Sequence, residues 1–107
     1  MRDFVDALRA FASEHGMLIE NKIDPDDGIR TIVVYTKDGR DITQVATVII
    51  EQGSEDDPTI KEQILNSVEE QVKDDVKKGV KATVSAAGKL LVEWIKAFFE
   101  NFPNPFT

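Results

Sequence analysis

His15 is the only histidine in the chain, and histidine is the side chain best suited to acid–base chemistry near neutral pH. A catalytic role also needs a nucleophile and an orienting group, and no nucleophile-elbow, phosphate-loop or dinucleotide glycine pattern supplies them. Because His15 precedes Gly16 at the end of a helical pattern, we expect it to cap the last carbonyls of that helix. The sequence thus predicts a non-enzymatic chain without a cofactor. A deep pocket ringed by carboxylates and Tyr35 would favour an enzyme instead.

The acidic segment 24–28 is the closest approach to a metal-binding motif. No closing glutamate follows in the register that a calcium loop requires, and the chain has no cysteine. Pro25 supplies a fixed φ and Gly28 a permissive one, so the segment predicts a turn rather than a metal site. Asp26 and Asp27 are then exposed carboxylates that a partner could contact.

Acidic residues outnumber basic ones by 20 to 13, which gives a net charge of −7. This charge either keeps the protein soluble or complements a basic partner protein, whereas the phosphates of nucleic acid would be repelled. Asp74 and Asp75 are followed by Lys77 and Lys78, which predicts ion pairs on a solvated helix face. The carboxylates that could face a basic partner are Asp26, Asp27, Glu55, Asp56, Glu69, Glu70, Asp74 and Asp75.

The most informative pattern is a broad apolar stripe with pairs at four-residue spacing: Leu90, Leu91, Trp94, Ile95, Phe98, Phe99 and Phe102. One interpretation is the main core helix, lying across a sheet. The other is that Trp94, with Phe98 or Phe106, stays exposed as an anchor for a partner. Glu93 and Glu100 disfavour a membrane-surface helix, which needs a basic polar face. No apolar run approaches the roughly 20 residues of a membrane span.

Three strands precede this helical region. Apolar residues at helical spacing predict a helix over 3–15, with Asp3 as N-cap, and residues 17–23 alternate as a strand. Residues 29–37 and 41–51 are dense in β-branched side chains and flank Asp38-Gly39, which favours a type I′ hairpin. A helical stripe remains the alternative for the second of these segments.

A two-residue turn at Asp38-Gly39 would place Tyr35 opposite Ile42 and Val33 opposite Gln44. Both faces of the hairpin would then carry apolar residues. We therefore expect helices on one face of the sheet and something else on the other.

Asp57 and Pro58 predict a helix start, with Asp57 as N-cap, and the helical pattern then continues to residue 102. A single helix of that length would extend about 65–70 Å, against a radius of gyration near 13 Å for a domain of this size. We expect a break at Lys78-Gly79 or at Gly88, giving two helices; one protruding helix is the alternative. We expect residues 103–107 to form a tail.

These elements predict a single α+β domain of 107 residues, with an N-terminal helix, a three-stranded antiparallel sheet and two C-terminal helices. The absence of cysteines and of a signal-peptide pattern favours the cytoplasm. We expect a small protein that binds another protein, as an adaptor, chaperone-like subunit or inhibitor. Acidic inhibitors from phages or toxin–immunity systems have these proportions. The alternative is a structural protein that self-associates through its C-terminal helical region.

Overall fold

The computed structural model of the protein describes residues 2–101, which follow the predicted order of one helix, three antiparallel strands and two helices. The mixed α+β fold is therefore confirmed. Its elements are α1 (Arg2–Glu14), β1 (Met17–Ile23), β2 (Arg30–Asp38), β3 (Asp41–Ile50), a 3-10 turn (Ser54–Asp56), α2 (Ile60–Lys78) and α3 (Ala82–Asn101).

The sheet is an antiparallel meander in the order β1-β2-β3, and the helices pack on one of its faces. Alternate side chains of each strand point to that covered face, since the side-chain period of a strand is two residues. The buried side chains of β2 and β3 are Ile32, Val34, Val45, Ala46, Val48 and Ile50. They form one core with the apolar faces of the three helices.

The hairpin between β2 and β3 has a two-residue turn, but its central residues are Gly39 and Arg40, because Asp38 pairs with Asp41. Gly39 has a φ of +62° and no residue other than glycine has a positive φ in the described part of the chain. A positive φ at the first central position alone is characteristic of type II′ rather than the predicted type I′ turn.

The predicted register of this hairpin is wrong. Tyr35 lies opposite Gln44, and Val33 lies opposite Thr47. The turn is displaced by one residue, and β3 then contains a bulge at Val45, where two residues on one strand face one on the other.

Both predicted N-caps are also wrong. Asp3 lies inside the first turn of α1, which begins at Arg2. Helix α2 begins at Ile60 with Thr59 as its N-cap residue. The Asp57 carboxylate accepts hydrogen bonds from the Thr59 backbone N–H at 2.8 Å and the Thr59 hydroxyl at 2.7 Å. It therefore stabilises a turn that precedes the helix.

The break between the two C-terminal helices lies at Gly79, which has a φ of +70°. The Gly79 N–H bonds to the Val76 carbonyl and the Val80 N–H to the Asp75 carbonyl, each at 3.2 Å, which forms a Schellman motif. The other predicted break, Gly88, is instead a buried residue within α3. A Cβ there would lie 2.8 Å from a methyl carbon of Val72, so Gly88 permits the close approach of α2 and α3.

Candidate functional site

The aromatic side chains of α3 contact those of α1. The Phe4 ring stacks on Phe99 at a centroid distance of 5.6 Å and contacts Phe98 edge-on at 5.8 Å. Trp94 stacks on Phe11 at 5.0 Å and on Phe98 at 5.2 Å. Phe98 is buried while Trp94 is half-buried, so the stripe is neither wholly core nor wholly exposed. Phe102 and Phe106 lie outside the described residues.

Trp94 borders a shallow cavity of about 570 Å³ between α1 and α3, here named the aromatic groove. Its lining includes the buried rings of Phe11 and Phe98 and the half-buried indole of Trp94. Leu90 lines it from α3 with 41% of its surface exposed. Glu14 from α1 and Glu93 from α3 are exposed and form its acidic rim. The groove therefore combines an aromatic floor with negative charge at its edge.

His15 contributes to the α1 side of the groove as a cap, as predicted. Its Nδ1–H donates to the Phe11 carbonyl oxygen at 2.9 Å, and because a carbonyl only accepts, Nδ1 carries the proton. Its ring also contacts the Phe11 ring at a centroid distance of 4.5 Å, with the two ring planes tilted by 36°. These two contacts hold His15 against the C-terminal end of α1.

A second cavity, about 560 Å³, lies between α2 and α3 and has the opposite character; it is named the valine groove. Val72 and Val92 are buried at its base, and Val76 is 53% exposed. Its charged lining residues are Lys73, Lys77, Lys89, Lys96, Glu69 and Glu93. The lysines outnumber the glutamates, so this groove is basic although the chain as a whole is acidic.

The predicted turn at 24–28 is confirmed, and its carboxylates bond locally. Asp24 accepts the Asp26 N–H at 2.8 Å, and Asp27 accepts the Ile29 N–H at 2.9 Å. Asp26 itself is exposed. Within residues 2–101, no group of three or more His, Cys, Asp or Glu side chains could hold a metal ion.

The segment 24–28 lies at the same end of the sheet as the 3-10 turn that contains Glu55 and Asp56. Ile23, Arg30 and Ile50 pair across the three strands at that end. A Cβ at Gly28 would lie 2.5 Å from the Gln52 side chain, which precedes the 3-10 turn in the chain. This end of the molecule is therefore acidic, but it is separate from the aromatic groove, whose lining comes from α1, the adjoining His15 and α3.

Two of the acidic residues of α2 pair with lysines. Glu69 pairs with Lys96 at 3.5 Å, and Asp74 pairs with Lys78 at 2.8 Å as an i,i+4 pair. The Asp74 carboxylate accordingly raises the pKa of Lys78. Glu70 is exposed and Asp75 is half-buried on the same helix. The hydrogen bonds from Thr59 lower the pKa of Asp57, which lies before the helix.

The candidates taken from the sequence thus fall in three places. Trp94 and Phe98 meet in the aromatic groove, the carboxylates of 24–27 and 55–56 lie at one end of the sheet, and those of 69–75 lie on α2. Sequence reasoning missed Leu90 and Glu14 as parts of the groove. The aromatic spacing of Phe4 and Phe11 in α1 was the available signal that a second helix would meet the stripe.

Among residues 2–101, no helix is long and apolar enough to cross a membrane. The chain matches no protein-family model, no curated protein and no solved structure.

Proposed function

We propose that this chain is a non-enzymatic cytoplasmic module that acts by binding another protein, as an adaptor, chaperone-like subunit or inhibitor, including inhibitors of phage or toxin–immunity type. The observation that supports the proposal is the aromatic groove, where Trp94 and Leu90 remain partly exposed between two glutamates. Tryptophan is enriched at the energetic centres of protein interfaces, where surrounding side chains exclude water from it.

The chemistry of the groove indicates the partner. An apolar side chain of the partner would pack against Trp94 and Leu90, and a lysine or arginine beside it would approach Glu14 and Glu93. An arginine could also stack on the exposed part of the indole. The net charge of −7 would steer such a basic segment toward this chain and repel the phosphates of nucleic acid.

The proposal is tested by affinity capture from native cells with three baits: the unaltered chain, Leu90→Lys and Val76→Lys. Leu90 and Val76 are both exposed apolar residues, so neither substitution should change stability by more than about 0.5 kcal/mol. Leu90→Lys places a positive charge in the aromatic groove, whereas Val76→Lys makes the same change in the valine groove.

We expect the unaltered chain and Val76→Lys to capture a protein that Leu90→Lys does not capture. Its capture should weaken as salt rises, because exposed charges are screened over about 8 Å at physiological ionic strength. Leu90→Lys retaining the same proteins as the unaltered chain would contradict the proposal.

A further inference from the structure

The face of the sheet that the helices do not cover carries apolar side chains, and it is named the open sheet face. Its residues alternate with the buried ones along each strand: Leu18, Glu20 and Lys22 on β1, Thr31, Val33, Tyr35 and Lys37 on β2, and Ile42, Gln44, Thr47 and Ile49 on β3. Leu18, Ile42 and Ile49 are three of the six exposed large apolar side chains among residues 2–101.

A sheet with one face in water ordinarily alternates apolar residues inward with polar residues outward. On β2 and its neighbours this alternation fails, because Val33 and Tyr35 lie outward beside Leu18, which pairs with Tyr35. Ile49 pairs with Thr31 on the other side of β2 and is 63% exposed. The apolar side chains therefore extend across all three strands, as expected of a surface that associates.

The charges on this face argue against a basic partner. It carries one carboxylate, Glu20, and two ammonium groups, Lys22 and Lys37, and the Glu20–Lys22 pair is closed at 2.7 Å. A basic partner would find no unpaired carboxylate here. Two copies of a chain with net charge −7 repel each other in general, but at this face they meet without opposing negative charges.

The β3 edge of the sheet is less suited to association than the open sheet face. The Thr47 N–H donates to the Gln71 side-chain oxygen at 2.7 Å, and the Gln71 side-chain N–H donates to the Thr47 carbonyl at 2.7 Å. The amide of α2 thus occupies both backbone groups in the middle of the edge strand β3, where an added strand would have to bond.

We propose that two copies of this chain associate through their open sheet faces, stacked face to face about a twofold axis. Tyr35 and Val33 of the central strand lie in the middle of the contact, flanked by Leu18 and Ile49. Three strands of this length cover about 14 by 30 Å, a small interface, so the dimer forms and dissociates with protein concentration. Both grooves are lined by the helical side of the molecule and stay accessible in the dimer.

Sedimentation equilibrium over a wide range of protein concentration tests this proposal with the unaltered chain, Ile49→Lys and the control Val76→Lys. Both variants place a lysine at an exposed apolar position, on the open sheet face and on the helical side respectively. Circular dichroism verifies that each variant is folded. The proposed dimer makes no use of the aromatic groove, so Leu90→Lys should dimerise as the unaltered chain does, which separates this test from that of the proposed function.

For the unaltered chain and Val76→Lys, we expect the average mass in solution to rise from the monomer value of 12.0 kDa toward twice that value as concentration increases. Ile49→Lys should weaken dimerisation by more than about tenfold, because each copy would then bury a lysine without a partner carboxylate in the contact. A chain that stays monomeric at every concentration would overturn the proposal. A dimer that forms equally well with Ile49→Lys would also overturn it. If Val76→Lys disrupted that dimer instead, the chain would associate through its helical region.

Discussion

The two faces of the sheet are built from neighbouring residues of the same strands, yet their environments differ completely. Ile50 on the covered face is 1% exposed, whereas Ile49 beside it is 63% exposed. The same contrast holds on β2, where Ile32 is buried and Val33 points outward. Residue type alone therefore does not identify the face that the helices cover. We therefore expect the covered face to supply stability, and the proposed dimer uses the open one.

The largest effect should follow from truncating the covered face. Ile50→Ala removes a fully buried side chain that packs under the helices, and we expect it to lower the free energy of unfolding by about 2–5 kcal/mol. Urea denaturation measures this loss. If Ile50→Ala were nearly neutral, the covered face would not be the principal source of stability.

Trp94 lies on the same side of the sheet as the core but remains half-buried, so its truncation should have an intermediate effect. Trp94→Ala loses two stacking contacts, with Phe11 and Phe98, and we expect a loss of about 2 kcal/mol, below the range for a fully buried tryptophan. Chemical denaturation of this variant, with Trp94→Phe as the control that keeps a ring, measures it. A loss below about 0.5 kcal/mol would mean that the residue contributes no more than an ordinary surface side chain.

The smallest effect on stability should come from Ile49→Ala, the neighbour and chemical match of Ile50→Ala. At a concentration where the chain is monomeric, we expect the free energy of unfolding to change by no more than about 0.5 kcal/mol. Urea denaturation of the pair under identical conditions gives the comparison directly. Equal losses at positions 49 and 50 would show that the two faces do not differ as described.

The order of the elements could be predicted because local signals mark each one. The bounds of β1 agree with the prediction, since Gly16 and the turn at 24–28 punctuate both of its ends. The break at Gly79 was one of two predicted positions, because glycine is suited both to a helix end and to a close contact between helices. Gly88 allows α3 to pack closely against Val72 of α2 and does not end a helix. No local sequence pattern reveals that contact.

The register of the β2–β3 hairpin and the composition of the aromatic groove could not be predicted, because both depend on contacts between segments that are distant in sequence. Gly39 could occupy either central position of a two-residue turn, so the sequence did not distinguish Asp38-Gly39 from Gly39-Arg40. The bulge at Val45 lies close in sequence to Thr47, which bonds to α2 24 residues away in the chain. Likewise, Trp94 could be singled out by its type, but Glu14 joins it only because α1 packs beside α3.

The stacking of Phe4 on Phe99 has a consequence for how the protein folds during synthesis. Helix α1 and the sheet leave the ribosome well before α3, and at about 5–20 residues per second that interval lasts several seconds. Throughout it, Phe4 and Phe11 lack the aromatic rings that cover them in the folded protein, and the covered face of the sheet is only partly shielded. A nascent chain arrested before α3 emerges should therefore bind chaperones that recognise exposed apolar segments, and release from them should coincide with the appearance of α3.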